Sequence, residues 1–255
     1  MSRPFIMFFT ERTGSSSVMF DLSQHPKTIV HMEIFGAPRL PGGLPQTDRN
    51  RIELLHKLWA GYRNPEWMPR KLRGCARGFK LQFKRAGIQF NRPRRLAREL
   101  RLYDPVVIAL RRSDILKQAV SKVRSHMLAE INAAEWGVRD QHIKPESGPE
   151  ARAFAGQPTK VPLDQLEAAL DAASLDRADM EEFLQLCPPT VEITYEDYLT
   201  NRLDVLNRIL HALQLEPFTE APPPTVAKVT ADDLSRAVSN YDEVLAFAQA
   251  RGLTL

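Results

Sequence analysis

The chain has 255 residues, of which 43% are hydrophobic and 26% charged, and it carries a formal net charge of +4 at neutral pH. This is ordinary composition for a folded globular protein with room for one full core, and it excludes a disordered, collagen-like or disulfide-scaffold chain. No window approaches the roughly 20 apolar residues of a membrane-spanning helix, and the opening MSRPFIMFF holds too short an apolar run for a signal peptide. Cys75 and Cys187 stand far apart and in no metal-like spacing, so reduced thiols in a cytoplasmic protein are expected.

In chain order, Phe5 to Phe9 is a continuous apolar run and predicts a buried strand. Thr10-Glu11-Arg12-Thr13-Gly14 follows, and a helix is predicted from Ser15 or Ser16 to Ser23, ended by His25-Pro26. Thr28 to Ile34 predicts a second strand, Ala37 to Gln46 a Pro- and Gly-rich loop, and Arg51 to Tyr62 an amphipathic helix. Gly78 to Phe83 predicts a third strand and Arg92 to Leu102 a basic helix. Val106 to Leu110 is the clearest buried strand, feeding a helix to about Ala134 that Ser113 or Asp114 can cap. Gly137 to Thr159 reads as polar loop, Leu163 to Leu186 as helix, Thr190 to Thr194 as strand, and Tyr198 to Leu213 and Leu234 to Arg251 as helices. Short apolar strands alternating with helices predict an α/β domain with a mostly parallel sheet, whose ligands bind at the carboxyl ends of the strands.

The loop after the first strand carries the chemistry. A helix opening there leaves main-chain N–H groups pointing at the turn, and its dipole adds positive potential. Gly14 permits close approach, Ser15, Ser16 and Ser17 offer hydroxyls, and Arg12 offers a permanent charge. Together they suit a phosphate or sulfate group, against the plainer alternative of a well-capped helix. Arg111 and Arg112 end the VVIAL strand, with Ser121 on the following helix. They make either a second anion site or a surface pair. About a dozen Lys and Arg lie between Arg63 and Arg101 against Glu66 and Glu99, giving a solvated face or an anionic partner.

RTGSSS (Arg12 to Ser17) with His25-Pro26, together with LRRSDILKQAVS, resembles the sulfotransferases that use 3′-phosphoadenosine-5′-phosphosulfate (PAPS), in their bacterial branch that includes trehalose sulfotransferase. ITYEDYL (Ile193 to Leu199) and NYDEV (Asn240 to Val244) are also similar to segments of that family. The resemblance implies one sulfotransferase-type α/β domain related to P-loop kinases over residues 1–255, with acceptor-side insertions around 37–76 and 137–160. It implies PAPS as donor, no metal, and in-line transfer to a hydroxyl of a small-molecule, carbohydrate or lipid-linked acceptor. Arg12, Thr13, Gly14, Ser15, Ser16 and Ser17 would grip the phosphosulfate, Arg112 and Ser121 the 3′-phosphate, and Lys228 the nucleotide. Many relatives place a His base on the third strand, where this chain has Lys80 and Gln82. The bacterial branch instead places a Glu after the second strand, near an aromatic residue, so the resemblance makes Glu33, followed by Phe35, the expected base, with His31 second, and Lys80 would stabilise the leaving phosphate or the bridging oxygen. Glu11, beside an anion site, has no evident role. No nucleic-acid partner and no membrane insertion are expected, and a homodimer is left open. The competing readings are a small-molecule kinase, which needs a loop Lys and a Mg²⁺-holding acid that these segments lack, and a nucleic-acid-binding protein using the basic region.

Overall fold

The computed structural model describes residues 3–36, 40–63, 69–84, 87–88, 90, 92–137, 148–223 and 233–253. It contains two compact units: Met1–Ser113 with Leu175–Thr225, and Asp114–Ser174 with Val226–Leu255.

The first unit is the expected α/β layer structure. Five parallel strands stand in the order β2-β3-β1-β5-β6: β1 Phe5–Thr10, β2 Thr28–His31, β3 Ala76–Lys84, β5 Val106–Arg111 and β6 Val191–Thr194. The short β4, Gly87–Ile88, adds antiparallel to β3. The uninterrupted apolar reading of β1 has a simple cause, since both its faces are buried. Ile6 and Phe8 pack toward α2 (Asp48–Arg63), α3 (Pro93–Arg101) and Met180, Phe183 and Leu184 of α6 (Leu163–Leu186). Phe5, Met7 and Phe9 pack toward α1 (Ser15–Ser23) and α8 (Arg202–Ala212). The carboxyl end of β1 lies between neighbours whose connections leave in opposite directions, where open sheets of this kind bind ligands.

The second unit is helical, with a core drawn from α4 (Ile115–Trp136), the first half of α6, α9 (Leu234–Ala237) and α10 (Tyr241–Ala250). Arg124 is fully buried there and donates to the carbonyls of Ala237 at 2.6 Å and of Gln157 and Phe154 at 3.2 Å.

Several predicted elements need correction. The second strand ends at His31, because Met32 to Gly36 turns back on itself, with the Gly36 N–H donating to the Glu33 carbonyl at 2.9 Å. The expected loop after Gly137 contains helix α5, Pro149–Gly156, opened by Pro at its first turn and held by Glu135, which accepts from the Glu150 N–H at 3.0 Å. The helix expected over Tyr198 to Leu213 is two helices, α7 (Tyr195–Thr200) and α8, divided at Asn201. The helix expected over Leu234 to Arg251 divides into α9 and α10, because Val238 leaves helical geometry to bridge Thr159 and Asn240 ties both Val161 main-chain groups.

Candidate active site

The loop between β1 and α1 is shaped by two left-handed residues, Arg12 with φ of 63° and Gly14 with φ of 78°. For Arg12 this backbone is strained, a state that persists where the surroundings enforce it. Thr13 is wholly buried and donates from its hydroxyl to the Thr10 carbonyl at 2.8 Å, closing the turn. Gly14 is the N-cap of α1, and no side chain caps the helix. The plain alternative of a well-capped helix is therefore not what this loop builds. Its first-turn N–H groups face the turn without a side-chain acceptor. A Cβ at Gly14 would overlap the ring of Tyr195, so glycine is required both for its backbone angle and for space.

Lys80 supplies the lysine that the loop sequence lacks. It stands on β3 opposite Met7 of β1, on the face toward α1, and is 3% exposed. Its ammonium donates to Ser16 Oγ at 2.8 Å and Ser15 Oγ at 3.2 Å, pairs with Glu33 Oε1 at 3.1 Å, and lies 4.9 Å from the centre of the Phe9 ring. Three donors meet three oxygens, which makes burial of the charge tolerable. Burial pushes the Lys80 ammonium below its ordinary value, and the Glu33 carboxylate offsets part of that. Glu33 itself is 34% exposed, in the turn after β2, which Phe35 anchors by edge-to-face packing on Phe79 and Phe90.

The two arginines that end β5 have different tasks. Arg111 is spent on structure, with Glu181 at 2.6 and 2.9 Å and Glu192 at 2.7 Å. Arg112 turns to the loop, donating to the Arg12 carbonyl at 3.0 Å while its guanidinium lies 4.8 Å from the centre of the Tyr195 ring. Burial pushes Arg12 below its ordinary value, Glu11 raises it, and Arg112 lowers it again. Glu11 thus has a physical role, as a partial counter-charge to Arg12 in the free protein.

The structure brings together Arg12, Thr13, Gly14, Ser15, Ser16, Lys80, Glu33 and Arg112 at the carboxyl end of the sheet, with Ser17 in the first turn of α1. Ser121 is buried on α4 in the second unit. Lys228 lies outside the described residues. His31 pairs in register with Phe79 and so faces the α2 side of the sheet, away from Lys80; burial and the nearby Arg77 push its imidazole below the ordinary value. Sequence reasoning missed Tyr195. The available signal was Thr194 with Glu196 and Asp197 two and three residues on, a helix start in which Thr194 Oγ1 accepts from the Asp197 N–H at 3.1 Å and which presents Tyr195 at the first helical position.

No family model matches this chain, and no curated protein matches it by sequence. Among solved structures, it is similar to the crystal structure of a sulfotransferase from Alicyclobacillus acidocaldarius, with 17% identity and a TM-score of 0.47, covering 100% of this chain and 98% of the other.

Proposed function

We propose that this protein is a sulfotransferase that takes the sulfuryl group from PAPS and passes it to a hydroxyl acceptor. The observation that carries the reading is the placement of the Lys80 ammonium on the hydroxyls of Ser15 and Ser16 and on Glu33, at the mouth of an uncapped strand–loop–helix. An oxygen of a bound anion competes with the serine hydroxyls for this ammonium and frees them to donate to it. Loop N–H groups, Arg12 and Lys80 then converge on the position where negative charge develops, the main resource for transfer of an anionic group. In the reaction the acceptor oxygen forms a bond to sulfur while the bond from sulfur to the bridging phosphate oxygen breaks. The acceptor proton passes to the Glu33 carboxylate, and Lys80 neutralises the departing phosphate. The products are a sulfate ester and adenosine 3′,5′-bisphosphate. Arg112 belongs to the grip on the nucleotide phosphates, and a carbohydrate or small-molecule hydroxyl is the acceptor class.

Phosphoryl transfer from ATP is the rival reading, since Lys80 would serve a triphosphate too. It is disfavoured by β5, which ends in Arg111-Arg112 where such enzymes place a metal-holding acid. Thermal shift separates the two. Adenosine 3′,5′-bisphosphate should raise the melting temperature and ATP with Mg²⁺ should not; the reverse pattern would establish the kinase reading.

A further inference from the structure

Gln82 is the next residue on the Lys80 face of β3, one pleat nearer the carboxyl edge and opposite Phe9 of β1. It is only 5% exposed, its amide bonds to no described residue, and neither amide atom is among the buried unpaired side-chain atoms, so the small exposure it keeps includes the amide. Its neighbours leave that amide available: Lys80 is committed to Ser15, Ser16 and Glu33, and Phe9 offers only a ring. A polar tip on an otherwise buried side chain can meet a ligand without first breaking a hydrogen bond within the protein. β3 lies between β1, which ends in the anion loop, and β2, which leads to Glu33. A side chain near the end of β3 on this face therefore stands between the donor grip and the base, where the transferring group must pass.

We propose that Gln82 is a binding residue for the sulfuryl group itself, its amide N–H donating to a non-bridging sulfuryl oxygen of the donor. The inference rests on the sulfotransferase reading. An amide has no charge to titrate, so Gln82 orients the group and takes no proton.

The test compares two probes that differ by the sulfuryl group alone, PAPS and adenosine 3′,5′-bisphosphate, on the full chain and on Gln82→Met. Calorimetry should show PAPS binding weakened about tenfold or more in the variant, the loss of one charge-assisted hydrogen bond, with bisphosphate affinity within twofold of the parent. The melting temperature of the free variant should be unchanged, since the amide makes no hydrogen bond to a described residue that the substitution could break. Gln82→Glu, of the same shape but anionic, should weaken PAPS further and bisphosphate less. An unchanged ratio of PAPS to bisphosphate affinity in both variants overturns the proposal, as does a destabilised Gln82→Met that loses both ligands together. If the parent protein binds neither nucleotide, it is the sulfotransferase reading that has failed, a result distinct from an unchanged ratio.

Discussion

Each of the two units buries a cation, and they do so in opposite ways. Arg124 in the helical unit is fully buried and directs its guanidinium at main-chain carbonyls at the ends of α5 and α9, with its plane 4.9 Å from the centre of the Phe154 ring. Lys80 in the sheet unit is nearly as buried but bonds to side chains, two serine hydroxyls and a partly exposed carboxylate. Carbonyls at helix ends are fixed acceptors, and a cation aimed at them ties chain segments together. Hydroxyls at an uncapped helix start can exchange partners with an incoming anion. Under the proposed function, the difference between a structural charge and a working one lies in the partners rather than in the depth of burial.

Substitutions should separate the two roles. The largest effect is expected from Lys80→Met. Sulfuryl transfer should fall by about 10²–10³-fold, the usual cost of removing one donor aimed at developing charge, while chemical unfolding shows stability unchanged or improved, because a buried cation is gone and Glu33 can reach water. Arg124→Met should do the reverse, losing about 3 kcal/mol of unfolding free energy as three buried carbonyls lose a donor, with nucleotide affinity kept below the melting transition.

Gly14→Ala lies between these extremes. The left-handed backbone and the Tyr195 ring both oppose a Cβ, so about 1–3 kcal/mol of strain must be relieved by moving the loop. Bisphosphate affinity should drop about tenfold or more in calorimetry, and Tyr195→Ala in the same chain should restore part of it.

The pH response sharpens the contrast further. A lysine held below its ordinary value of 10.5 binds fewer protons folded than unfolded, so stability should rise as pH climbs from the folded value toward 10.5. Unfolding free energies measured across that alkaline window should show the rise in the parent and a smaller one in Lys80→Met. Smallest of all, Cys187, whose thiol burial pushes up to about 11, should resist alkylation at mild pH while the half-exposed Cys75 reacts, as followed by mass spectrometry.

Much of this contrast was legible in the residues. The apolar runs of β1 and β5 exist because both sheet faces are covered, and the start of α1 is marked by Gly14 and the serines. The residue types of the candidate site, Arg12, Glu33, Lys80 and Arg112, were also legible, although their assembly depends on β3 inserting between β1 and β2, a pairing of segments far apart in the chain that no local pattern encodes. The breaks at Asn201 and Val238 were hidden too. Neither carries Pro or Gly; Val238 is drawn out of helix by its bridge to the distant Thr159, while Asn201 bonds to its near neighbour Asp197. Helix α5 was concealed by the polar composition around it. The different fates of Arg111 and Arg112 were illegible because Glu181 and Glu192, which claim Arg111, lie about 70 and 81 residues on.

The central claim is that the loop after β1 and the Lys80 ammonium form one nucleotide-anion site. Isothermal titration of the full chain with adenosine 3′,5′-bisphosphate, in parallel with Lys80→Met, tests it most directly. The account predicts saturable one-site binding to the parent and at least a tenfold loss in a variant that is fully folded. No saturable binding to the parent up to millimolar ligand, or equal affinity in the two proteins, would contradict it.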